Sequence, residues 1–293
     1  MLKAAARHAT HVHTAGVPMK LEQRTGASSW RQARAELLSG LPHALATVCD
    51  VWSVVQSGRS PFKPVGTPAQ LGRLIIELLS PVAQSHQQQF LSSLALVWLT
   101  RGQSRTTQMD ADRPSFAYSP SQMDICSLLL SLKVIPFESL VAAVGETLRE
   151  AGQKGTKQAG THNVQQEKQS SSFPTEIPQL ELLHGCVRSL SPSQLIASWP
   201  AIHQLLSDAP LSALPSRAVF LLFIIMCDFV RVWAAPSSQE DRMRIEERGK
   251  QNNKQMQETT QRLVDALNTI VGWQLEQTTW LKRTLVVKQD QST

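Results

Sequence analysis

Four times in this chain a hydroxyl residue stands directly before proline at the head of an apolar run: Thr67-Pro68, Ser80-Pro81, Ser119-Pro120 and Ser191-Pro192. The hydroxyl accepts a backbone N–H that a helix leaves unpaired in its first turn. Proline loses nothing at the first helical position, because its missing donor has no partner there. Each pair therefore reads as a helix start. Val, Ile and Thr do not gather into alternating runs, while Leu, Ala, Gln and Ser dominate, so the chain reads as helices joined by polar connections.

Apolar residues at offsets of three and four fill in the helices. A first helix runs from a cap at Ser28 or Ser29 through Trp30, Ala33, Leu37 and Leu38 to Gly40 and Pro42. A second carries Leu45, Val48, Cys49, Trp52 and Val55. Further helices are expected over 71–79, 82–99 and 123–132, and another opened by Pro136. Leu180, Leu183, Val187 and Leu190 share one face. Leu195 to Leu206 form the next helix, which Pro200 should kink or split. Residues 216–233 hold the most apolar run, too short for a bilayer span of about 20 residues and read as a buried core helix. The mixed charges of 236–257 read as a solvated loop and helix start. The final helix is expected to bury Leu263, Val264, Leu267, Ile270 and Val271.

This gives a leader without fixed structure over 1–28 and a first helical-repeat section over 29–151. A flexible linker of Gly, Gln, Lys, Ser and Thr follows over 152–176, then a second helical section over 177–288 and a tail over 289–293. Residues 121–148 and 179–206 each read as helix, short break, helix. Such pairs are the unit of HEAT- and armadillo-type solenoids. The expected fold is all-α, an irregular helical-repeat solenoid segment, with an irregular bundle as the alternative.

The chemistry of known active sites is not written here. There is no phosphate loop, nucleophile elbow or His-Glu-x-x-His helix. Cys49, Cys126, Cys186 and Cys227 lie far apart with no Cys-x-x-Cys pair, and read as buried free thiols of a reducing compartment. His203 with Asp208, and His184 with Cys186, are isolated pairs; the latter, two apart on a helix, point to different faces. His8, His11 and His13 read as incidental. No enzyme activity, cofactor, metal or small-molecule substrate is expected. The formal charge is +6, but its 29 basic residues are spread along 293 rather than gathered into a stripe, which argues against nucleic acid. It allows weak attraction to an anionic membrane surface. The leader, with Lys3, Arg7, Lys20 and Arg24 against Glu22, superficially resembles a transit peptide.

Most of the seven tryptophans fall in apolar faces and read as core. Trp273 and Trp280 differ, standing among Gln, Thr and Lys after the last apolar helix. An exposed tryptophan there can anchor a partner or a membrane interface. The candidate interaction surface is therefore Trp273, Glu276, Gln277, Trp280, Lys282 and Arg283.

Three segments resemble the Dopey family. Ile75 to Trp98 runs from Glu77-Leu78-Leu79-Ser80-Pro81-Val82 to Ala95-Leu96-Val97-Trp98. Leu211 to Val230 holds Leu214-Pro215, Phe220-Leu221-Leu222 and Asp228-Phe229-Val230. Gln257 to Lys288 holds Thr260-Gln261-Arg262 and Leu275-Glu276-Gln277-Thr278-Thr279-Trp280-Leu281. Trp273-Gln274 stands where the family pattern has small polar residues. The resemblance implies an internal stretch of a very large helical-repeat protein of the cytosol, peripherally placed on Golgi, trans-Golgi network and endosome membranes. It implies partners in that traffic: a large Sec7-related scaffold, a phospholipid flippase and a kinesin, together with Golgi phosphoinositide.

Overall fold

A computed structural model of the chain describes residues 32–58, 67–103, 118–158, 175–234 and 239–290, with side chains placed for all of these except 103, 154–158, 239–250 and 281–290. The expected leader, its three histidines, Trp30 and most of the expected linker lie outside the described residues. Every regular element among the described residues is helical. In chain order they are α1 (32–39), α2 (Leu41–Gln56), α3 (Pro68–Ser85), α4 (Gln87–Gln103), α5 (Pro120–Ser131) and α6 (Phe137–Gln158). Then come α7 (Glu176–Ser189), α8 (Pro192–Ala197), α9 (Trp199–Asp208), a 3-10 turn (Leu211–Ala213), α10 (Ser216–Ala234) and α11 (Gln239–Asp290). The fold is all-α, helix packed on helix.

Three of the four hydroxyl–proline pairs open helices, and each closes a reciprocal cap with a glutamine three residues on. Thr67, Ser119 and Ser191 accept from the backbone N–H of Gln70, Gln122 and Gln194. The glutamine side chains accept in return from the three cap N–H groups at 3.0, 2.9 and 3.1 Å. The fourth pair does not start a helix. Ser80 is followed three residues on by Ala83, which has nothing to return, and its hydroxyl donates back to the Ile76 carbonyl at 2.6 Å. Pro81 therefore sits inside α3, and the break expected there falls at His86, where φ is −137° and ψ 47°. Ser119→Ala should cost about 1 kcal/mol, and Ser80→Ala, which removes no cap, much less; urea unfolding of the two variants makes the comparison.

The helices form two compact units, residues 1–143 with 172–189 and residues 144–171 with 190–293. This partition differs from the one read from sequence, because α7 packs on α4 and α5 and so joins the first unit, while α6 passes from one unit into the other. Nor does a linker begin at 152. α6 continues to Gln158, and Gly152 is buried, with a Cβ there only 2.6 Å from Pro210 Cγ. That glycine serves close approach rather than flexibility.

In the first unit α2 packs on α3, α4 and α5, and the core gathers Leu45, Trp52, Phe90, Leu94, Ile125, Leu128 and Leu183. Residues 32–56 are, by length and composition alone, apolar enough to cross a membrane. Leu41, Leu45, Cys49 and Trp52 of this stretch, however, are buried in this core. In the second unit α10 packs on α8 and α11, and α11 also on α8, α9 and the 3-10 turn. α10 is the buried helix expected over 216–233, with Leu221, Leu222, Ile225 and Phe229 inside. Its other side exposes Phe220, Cys227 and Val230, so Cys227 is not the buried thiol expected. Pro200 does split the expected helix: α8 ends before Ser198, and Pro200 lies in the first turn of α9.

A titratable contact ties α1 to the end of α3. Arg34 Nη2 lies 3.1 Å from His86 Nδ1. Burial, then the Arg34 charge, lowers the His86 pKa from 6.5. The folded state thus holds its proton less tightly than the unfolded chain. This contribution to stability is present above about pH 6.5 and is lost as pH falls through the lowered value. Thermal melts between pH 7.5 and 5.5, settings spanning roughly that range, should show the loss, and His86→Gln should flatten that part of the profile.

Candidate interaction surface

The surface lies on α11, whose 52 residues are far more than the second unit covers. Its packed stripe places Met256, Thr259 and Leu263 in the core, with Ala266 and Ile270 half-buried. Two indoles from neighbouring helices donate to amides of α11 flanking this stripe: Trp199 Nε1 to Gln255 Oε1 at 3.4 Å, and Trp233 Nε1 to Asn253 Oδ1 at 3.0 Å. Between them Phe229 stacks on both rings, with centroids 4.5 Å from Trp199 and 5.9 Å from Trp233. Arg262 secures the seam, donating to the carbonyls of Leu206, Ser207 and Ala209 at 2.7, 2.6 and 2.7 Å. Those carbonyls belong to the end of α9, where the backbone has no helical partner of its own.

Beyond Ile270 the helix continues, and over the next ten residues the core no longer covers it. Every residue from 271 to 280 is exposed, with Trp273 at 56%, Leu275 at 62% and Trp280 at 62%. Val271, expected in the core, is 54% exposed, because α11 has outrun the helices that cover its first half. Trp273 and Trp280 are inside this helix rather than after it. At i, i+3/i+4 and i+7, Trp273, Glu276 with Gln277, and Trp280 share one side. Lys282 and Arg283 follow in the same helix, and their side chains lie outside the described residues.

The residues considered for catalysis are brought into packing roles. His203 Nε2 meets Ser207 Oγ at 3.3 Å, and the ring tilts over Trp199. His184 and Cys186 do part company. His184 Nδ1 is 2.6 Å from the Tyr118 hydroxyl. The neighbouring Cys126 thiol, then burial, pushes the Cys186 pKa well up. Burial likewise pushes Cys49 up to about 11, and both thiols stay protonated. The described residues contain no group of three His, Cys, Asp or Glu placed to hold a metal. Sequence reading missed the Arg262 contact; the arginine was in view, but nothing local names carbonyls more than 50 positions away.

No family model matches the chain, and no solved structure does. It is 50% identical over 280 residues to protein pad-1 of Caenorhabditis elegans, a match covering 94% of this chain and 11% of that one. The DOP1 homolog of Drosophila melanogaster is 29% identical over 266 residues, covering 88% and 9%. Mouse DOP1B is 26% identical over 273, covering 88% and 11%. The chain thus spans about a tenth of the length of the curated relatives it matches. On that agreement, over about nine-tenths of this chain and as high as one residue in two, the chain belongs to the Dopey family.

Proposed function

We propose that the chain is a non-catalytic scaffold segment in protein traffic between endosomes and the trans-Golgi network, recruited peripherally to those membranes from the cytosol. Its partners on this reading are those the family implies: the Sec7-related scaffold, the flippase and the kinesin. Kinship with the pad-1 and DOP1 proteins supports the setting, and the exposed tryptophans of α11 support a binding rather than a chemical role. A folded domain that holds Trp273 more than half exposed gives up apolar burial worth about 2 kcal/mol, which a partner recovers. Proximity labelling in cells should enrich trans-Golgi and endosomal proteins, and Trp273→Ala with Trp280→Ala should lose that enrichment while the melt is unchanged. Diffuse labelling of the wild-type chain would reject the reading.

A second reading makes the same stretch a membrane or phosphoinositide contact, favoured by exposed tryptophans followed at once by Lys282 and Arg283. On that reading the chain co-sediments with phosphoinositide-containing vesicles, and Lys282→Glu with Arg283→Glu abolishes the binding.

A further inference from the structure

The packed stripe of α11 has a strict 3–4 spacing, and that spacing does not stop where the packing stops. Met256, Thr259, Leu263, Ala266 and Ile270 lead without a slip to Trp273, Gln277 and Trp280. One seam of the helix therefore has a covered half and an exposed half. The covered half is an observed helix–helix interface, made with α9 and α10, and its polar contacts include, beside the Arg262 fork, two indole N–H groups of those helices received by side-chain amides of α11. The exposed half carries both of these groups itself, an indole at 273 and an amide one turn on at 277.

We propose that residues 270–280 of α11 dock an amphipathic helix of a partner protein, which continues the seam that α9 and α10 begin. The partner helix carries apolar residues at the same 3–4 spacing and an Asn or Gln that receives the Trp273 N–H. This rests on the scaffold reading and specifies its partner. The arrangement of apolar groups favours a helix over a lipid surface. At about 100° per residue, Val271 and Leu275 fall on the side of the helix roughly opposite Trp273 and Trp280, and Gln277 lies between the two indoles on their own stripe. A helix lying in a membrane interface needs one broad apolar face. Two narrow opposed stripes, one with an amide at its centre, do not supply it. A narrow 3–4 stripe is what one helix presents to another.

The test places a photoreactive benzoylphenylalanine, one position at a time, at Ile270, Val271, Trp273, Leu275, Gln277 and Trp280 of the full chain in cells. Adduct yield and the partner residues joined are both read by mass spectrometry. The expected result is severalfold higher yield at 270, 273, 277 and 280 than at 271 and 275, with the joined residues on one partner spaced by three or four. That spacing, rather than capture of a protein, carries the result. Joined residues spaced by two, lipid adducts, adducts to a second copy of this chain, equal yields on both sides, or no adducts would each overturn it. If yields are flat while the proximity labelling of trans-Golgi proteins persists, the docking inference fails and the scaffold reading stands. If the labelling is also lost, the scaffold reading fails as well.

Discussion

Trp98→Ala removes roughly 4–5 kcal/mol from the first unit, at the upper end of what a buried aromatic costs. The ring is fully buried where α4 meets α5 and α7. Its Nε1 donates to Glu181 Oε2 at 3.1 Å, and Gln122 Nε2 donates to its carbonyl at 3.3 Å. Tyr118 lies edge-on to it at 4.8 Å. The fit is tight: a Cβ on Gly185 would come within 2.8 Å of both the Trp98 ring and Cys126 Sγ. Helix α7 can lie this close only because residue 185 has no side chain. Truncation leaves a cavity that these rigid elements cannot close, and a buried carboxylate loses its indole N–H. A small domain has about 5–15 kcal/mol in total, so this loss is about a third or more of the first unit's stability and should lower its melting temperature markedly. Trp98→Phe separates the two parts, keeping most of the apolar volume and losing the donor at a cost of about 1–3 kcal/mol. Urea unfolding followed by circular dichroism measures both. Equal losses in the two variants would mean that the hydrogen bond, not the volume, dominates.

What the sequence made legible was local. Apolar residues at three and four, hydroxyl–proline starts and a proline inside an apolar run are all decided within one turn of helix. They located α5, α8, α9 and α10 and the split at Ser198. The error at Ser80 was also local and avoidable, since the glutamine three residues on distinguishes the three real caps from Ser80-Pro81-Val82-Ala83. Other features were decided at long range and left no local mark. α7 joins the first unit because its Gln179 and Glu181 bond to Ser92 and Trp98 of α4 and its Gly185 lies against Trp98 and Cys126, although the preceding helix is mostly in the second. Gly152 looked like the start of a linker because a glycine needed for close packing and one needed for flexibility are the same letter. The length of α11 was obscured because its exposed half is polar on most sides; helices of Gln, Glu, Leu and Lys persist on intrinsic propensity once a packed half nucleates them. Exposure of Trp273 and Trp280 was legible from their polar neighbours. That they extend the packed seam was not, because the seam begins only where α9 and α10 are seen to cover it.

Arg262→Ala should remove about 2–3 kcal/mol from the second unit, more than any single cap and less than three charged hydrogen bonds would sum to. The discount follows from solvent. The residue as a whole is exposed, and in the variant water reaches part of what the guanidinium held. What water cannot replace is the geometry. One planar fork closes on the carbonyls of 206, 207 and 209, the end of α9, and so fixes that helix to α11 at the residue next to the buried Leu263. A cation at a helix C-terminus also meets the negative end of its dipole. Lysine keeps the charge and loses the fork, so Arg262→Lys should recover only a minor part of the loss. Because Arg262 lies on the seam that leads to Trp273, its removal bears on function as well as stability. The covered half of α11 sets the direction in which the exposed half leaves the unit. Looser anchoring should therefore weaken docking at 270–280 even below the melting temperature, where Trp273→Ala acts by direct loss of contact. Hydrogen exchange across residues 199–209 and 256–270 distinguishes the two. Faster exchange in Arg262→Ala, with unchanged exchange there in Trp273→Ala, is the expected pattern. Equal protection in both variants would show that Leu263 and the Trp199–Phe229 stack hold the seam without the arginine.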